Sequence, residues 1–125
     1  MLSAHPSLKV SIRILCGEEI AMGPGKADLL AAIAETGSIS AAARKLGMSY
    51  RRAWLLVDLM NRCWAAPLVE TMHGGSARSG ARLSETGAQI LDAYRALQQG
   101  AQSQQSSPQW GELSAKLLAE PRPHQ

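Results

Sequence analysis

Tyr50, Arg51 and Arg52 follow directly on Ser49 and open a run whose apolar residues recur at helical spacing. An arginine guanidinium is planar and donates two parallel hydrogen bonds, which suits phosphate oxygens and the edges of bases. The glycine-rich stretch HGGSARSG places Arg78 among residues small enough for backbone amides to approach a phosphate chain while the arginine follows a groove. The charge around these residues is one-sided. From Ser38 to Val57 the only ionised side chains are Arg44, Lys45, Arg51 and Arg52, and from Thr71 to Ser84 they are Arg78 and Arg82. Cations so arranged hold a polyanion; each one near a duplex phosphate releases counterions and adds about −0.9 to the salt slope.

Bond-making chemistry finds no such support. GPGK ends like a phosphate loop, but Ile20 stands where the first glycine belongs and Ala27 replaces the Ser/Thr. GGSARSG contains no Gly-x-Ser-x-Gly elbow. Cys63 and His73 make no metal-ligand spacing, so neither metal nor cofactor is expected. No carboxylate pair or Ser/His constellation converges, and the chain is not expected to be an enzyme.

The bulk composition agrees with a small binding domain. The chain has 125 residues, a hydrophobic fraction of 46%, few aromatics at 4%, no Phe, and a net charge of +3. Its pI near 9.2 permits a polyanionic partner without demanding one. Two cysteines are too few for a disulfide framework and read as free thiols of a reducing cytosol. Lys9 and Arg13 interrupt the N-terminal apolar run, and no stretch reaches the roughly 18 apolar residues of a membrane span. A soluble, cytoplasmic protein with no membrane partner is the expectation.

The elements that must position the cations can be read from periodicity and punctuation. Leu8 to Leu15 alternates apolar and polar residues as a half-buried strand does, with a short second strand at Glu19 to Met22. KADLLAAIAET carries Leu29, Leu30, Ile33 and Ala34 on one helical face and stops at Gly37. Ser38 caps a second helix through about Leu46, closed by Gly47, and its alanines let it approach a neighbour closely. Ser49 caps a third helix to about Trp64, whose buried stripe is Ala53, Leu56, Val57, Met60 and Trp64. At about 100° per residue, Arg51 and Arg62 lie opposite that stripe, with Tyr50 and Arg52 flanking it. Trp54 reads either as packing at the helix edge or as stacking on a nucleic acid.

Beyond that helix, APLVETM and ARLSE read as strands around the glycine-rich turn. Ser84 or Thr86 opens a fourth helix with Ile90, Leu91, Tyr94 and Leu97 inward. The division expected is a domain over residues 1–99 and a polar linker and tail over 100–125 with a short helix in WGELSAKLLAE. Two short helices joined by a tight glycine turn, followed by a hairpin, make a winged helix-turn-helix. The fold class is therefore mainly α with a small β wing, and the exposed first turn of the third helix carries Ser49, Tyr50, Arg51 and Arg52 toward bases and phosphates.

TGSISAAARKLGMSYRRAWLLVDLMNR, followed by PLVETMHGGSARSGARLSETGAQILDAYRAL, resembles the N-terminal DNA-binding domain of ModE-type molybdate-responsive regulators, which is related to that of LysR-type regulators. The likeness covers about Val10 to Leu97. It implies a homodimer on double-stranded DNA, read by the third helix and the wing, with subunits joined through the first and last helices and the N-terminal strand. Carried onto matching positions, it makes Ser49, Tyr50, Arg51, Arg52, Arg78 and Arg82 DNA contacts and lets Ser38 and Ser40 hold phosphates. Fewer residues follow Gly100 than the roughly 50 of a small domain, which puts direct molybdate binding in doubt.

The function expected is thus a sequence-specific, homodimeric DNA-binding transcriptional regulator. Leu29, Leu30 and Ile33 with Ile90, Leu91 and Tyr94 are candidates for the dimer seam, or else fill the monomer core. The alternative function is a winged-helix interaction module whose basic face docks an acidic protein partner.

Overall fold

The computed structural model of the chain describes residues 6–73 and 79–124. Two strands, β1 (Ile14–Cys16) and β2 (Glu19–Met22), form an antiparallel hairpin ahead of three helices: α1 (Pro24–Thr36), α2 (Ile39–Leu46) and α3 (Tyr50–Cys63). A second antiparallel pair follows, β3 (Val69–His73) and β4 (Ser79–Leu83), in register from Val69↔Leu83 to His73↔Ser79. Helix α4 (Glu85–Gln102), a 3-10 turn at Ser103–Ser106 and α5 (Pro108–Ala115) complete the order. The order is that of a winged helix-turn-helix, with β3 and β4 as the wing strands.

Helix boundaries follow the local chemistry. The hydroxyls of Ser38, Ser49 and Ser84 accept from the amides of Ala41, Arg52 and Gly87, which satisfies amides that have no acceptor inside their helices. Ser84, rather than Thr86, therefore opens α4. Gly37 and Gly47 close α1 and α2 at φ of 75° and 69°, a region that costs a side-chain-bearing residue strain.

The core is built where α1, α2, α3 and the wing meet. Leu29, Leu30 and Ile33 of α1, Ala42 and Ala43 of α2, and Ala53, Val57 and Met60 of α3 are buried together with Leu68, Val69 and Tyr94. The alanines of α2 do let it sit close against α1 and α3. Trp64, the last residue of the expected stripe, is the C-cap of α3 and packs partly buried against the core, and its indole donates to the Ala21 carbonyl at 3.2 Å, tying the helix to β2. Burial, reinforced by the neighbouring Cys16 thiol, pushes the Cys63 thiol up from its ordinary value, and both cysteines are free.

Three expectations need correction. The strand over Leu8 to Leu15 is paired only at Ile14–Cys16. Its alternation is real, since Leu8, Val10, Ile12 and Ile14 are half-buried while Lys9, Ser11 and Arg13 are exposed. Its backbone is held by side chains of α4 rather than by a strand: Gln102 Nε2 donates to the Leu8 carbonyl, the Val10 amide donates to Gln102 Oε1, and the Tyr94 hydroxyl donates to the Ile12 carbonyl. Alternation reports burial on one side, not a pairing partner.

Second, α4 does not stop before Gly100. It continues to Gln102, the residue that the N-terminal segment needs, and the polar stretch after it is helical as far as Ala115 except around Ser107. Third, Leu97 points outward and keeps 50% of its surface exposed. Among the described residues, no helix is long and apolar enough to cross a membrane.

Candidate nucleic-acid interface

The first turn of α3 is uncovered. Tyr50, Arg51 and Arg52 are exposed, as is Ser49, whose hydroxyl accepts from the Arg52 amide at 3.1 Å. The turn is fixed by its own cap and by Ala53, packed beneath it in the core. Tyr50 meets Trp54, one turn on, edge to face, with ring centroids 6.2 Å apart and planes at 79°. Trp54 is thus at the helix edge yet 37% exposed. Both aromatics border an open cleft of about 530 Å³ whose other walls are Ser38 and Ser40 at the start of α2 and Thr71 and Gly80 of the wing strands.

Helix α3 and the wing are locked together by one side chain. Asn61 Oδ1 accepts from the amides of Leu68 and Val69 at 2.8 and 3.0 Å, and its Nδ2 donates to the Val69 carbonyl at 3.1 Å. On the other side, the Ala81 amide donates to the Gly37 carbonyl at 2.9 Å and so attaches β4 to the α1–α2 turn. These bonds join α3, the α1–α2 turn and the wing strands in one frame.

Not every expected contact residue is equally free. Ser38 Oγ is occupied by the Ala41 amide and stands 3.2 Å from Ser40 Oγ. Arg82 faces Glu70 across the wing at 3.7 Å, and Lys45 pairs with Glu35. The uninterrupted basic face that local charge counting suggests is therefore broken by carboxylates from neighbouring elements. Arg51 and Arg52 have no ion-pair partner among the described residues, whereas Arg62 pairs with Asp58 at 2.9 Å. Arg78 lies outside the described residues.

The expected dimer seam falls largely inside one chain. Leu29, Leu30 and Ile33 are wholly buried and Tyr94 is 2% exposed, so these four belong to the monomer core. Ile90 and Leu91 are only partly buried against it. Two contributors were not expected from the sequence: Thr71, which lines the cleft, and Asn61, which holds wing to helix. A polar residue on an otherwise amphipathic helix was the available sign of Asn61, but nothing local reveals a partner in a following strand.

The family profile described as bacterial regulatory helix-turn-helix protein, lysR family, matches residues 26–88. The chain is similar to the molybdenum-pterin-binding protein MopB of Rhodobacter capsulatus, at 49% identity over 63% of this chain and 29% of that protein. It is similar to the molybdenum transport protein ModE of Herbaspirillum seropedicae, at 41% identity over 56% of this chain and 26% of the relative. To the DNA-binding transcriptional dual regulator ModE of Escherichia coli K12 it is 38% identical, over 61% and 29% of the two chains. It therefore matches under a third of the length of these curated relatives. Among solved structures, the crystal structure of the CbnR_DBD-DNA complex superposes with a TM-score of 0.54 at 25% identity, covering 70% of this chain and 95% of that one.

Proposed function

The chain belongs to the lysR family of bacterial regulatory helix-turn-helix proteins, and from that premise we propose that it is a transcriptional regulator that binds duplex DNA sequence-specifically as a homodimer. The observation that carries this reading is the shared frame. Tyr50 and Trp54 at the uncovered end of α3 border one cleft with the wing strands, and Asn61 ties α3 to the start of β3.

In this reading the first turn of α3 enters the major groove. Arg51 and Arg52 donate to guanine edges or phosphates; a good bidentate base contact is worth about 1–3 kcal/mol of discrimination. Tyr50 and the hydroxyls of Ser49, Ser40 and Ser38 donate to the sugar-phosphate chain and set the register. Arg82 joins them by leaving Glu70, since an exposed pair contributes only about 0–1 kcal/mol and a phosphate replaces it readily. Arg78 has the same role from its place in the sequence. The second copy would meet Ile90, Leu91 and the exposed Leu97 on α4.

The test is duplex binding by fluorescence anisotropy, wild type against Arg51→Ala with Arg52→Ala, together with sedimentation equilibrium. The reading expects a dimer, wild-type binding that weakens with salt, and loss of specific binding in the variant at unchanged thermal stability. No duplex binding even at low salt would overturn it in favour of a basic face that docks an acidic protein.

A further inference from the structure

Arg52 does not face the aromatic cleft. Tyr50 and Trp54 occupy one side of α3; Arg52 and Leu56, two positions on, are turned about 200° away. There they line a second, smaller notch of about 250 Å³ together with Arg13, Lys26 and the first residues of α1. The notch contains three cations and no carboxylate among its lining residues. None of the three has an ion-pair partner among the described residues. The Arg13 Cγ stands 3.7 Å from where a Cβ on Gly23 would be.

The α1 terminus at this notch is open. Gly23 caps it with no side chain, Pro24 takes the first position, and the first turn holds no acidic residue. Gly25 has nothing within 4 Å of its absent Cβ, and its amide and that of Lys26 are among those with no acceptor inside the helix. Burial and then the adjacent Arg52 charge hold the Lys26 amine below its ordinary value, against weaker opposing pulls from Cys63 and Glu19. Like charges gathered without an ion-pair contact repel one another, and a bound anion relieves that repulsion.

We propose that Arg13, Lys26 and Arg52 form a phosphate clamp at the N-terminus of α1, gripping the DNA backbone on the flank of α3 opposite the wing. The clamp rests on the DNA-binding reading and deepens it: the duplex is held on both sides of the recognition turn. Backbone phosphate is the fitting ligand because the notch is shallow, cationic and continuous through Arg52 with that turn.

The experiment is a salt titration of the full chain with a fluorescein-labelled, mixed-sequence duplex of two helical turns. Arg13→Gln with Lys26→Gln should weaken binding at low salt and reduce the magnitude of the log Kd against log salt slope by about 1, the share of one phosphate. Lys9→Gln with Lys116→Gln removes the same charge away from the notch and should leave the slope as in wild type. Thermal melting of both variants should match wild type. The clamp is overturned if the notch variant keeps the wild-type slope and affinity, or if the control lowers the slope equally. Failure of wild type to bind at all would instead remove the DNA-binding reading, and the clamp with it.

Discussion

A Cβ placed on Gly87 would stand 2.1 Å from the carbonyl oxygen of Leu68. The first turn of α4 therefore rests directly on the backbone that leads into β3, and the Ser84 amide donates to that same carbonyl at 2.9 Å. Gly87→Ala should destabilise the fold by about 1–3 kcal/mol, the usual cost of overpacking, because the obstructing atoms are backbone and cannot rotate away. Urea denaturation measures this; a midpoint equal to wild type would show that α4 does not sit this close.

Asn61→Ala should cost about 2 kcal/mol, since it leaves two amides and a carbonyl at the start of β3 without their partner. It should also weaken duplex binding more than its loss of stability explains at a temperature where the variant is fully folded, because the wing is no longer fixed to α3. Binding unchanged in the folded variant would mean that the strand pair holds the wing without Asn61.

Tyr94 links α4 to the N-terminal segment and predicts an alkaline limit. Burial holds its phenol above the ordinary value of 10.0. The native chain therefore keeps a proton that the unfolded chain releases, so the stability tied to this group is complete below about pH 10 and declines as pH rises through the folded value. Tyr94→Phe should lose about 1 kcal/mol at neutral pH with the hydrogen bond to Ile12, and its stability should fall less steeply at high pH than that of wild type. Parallel alkaline slopes for the two proteins would exclude Tyr94 as the source.

Trp54 is the aromatic wall of the cleft, and its replacement separates recognition from folding. Trp54→Ala should lower duplex affinity about tenfold, or roughly 1.4 kcal/mol, while shifting Tm little because the side chain is partly exposed and packs mainly on Tyr50. A large fall in Tm with affinity retained would make it a packing residue only.

The features legible in the sequence are those decided within one turn of the backbone. Ser38 and Ser49 cap helices because a hydroxyl next to a free amide is a local arrangement, and Gly37 and Gly47 end them for an equally local steric reason. The uncovered face of Ser49–Arg52 follows from the apolar spacing behind it. What escaped notice depends on distant partners. Gln102 extends α4 because Leu8 and Val10, far away in the chain, need its amide, and Lys45 is tied to Glu35 on another helix. Leu29, Leu30, Ile33 and Tyr94 show an apolar stripe, but a stripe does not reveal whether its own chain or a second copy covers it. Lys26 lies in a glycine-flanked stretch that fails as a phosphate loop, and its cationic neighbours Arg13 and Arg52 converge only in three dimensions.

In the proposed function the tip of α3 and the wing strands form one DNA-facing surface. Amide chemical-shift mapping of the 15N-labelled chain, titrated with a short mixed-sequence duplex at low salt, tests it directly. Shifts concentrated at Ser38–Ser40, Ser49–Trp54 and the β3–β4 strands are the predicted result. Shifts confined to α4 and α5, with the α3 tip unmoved, would contradict it.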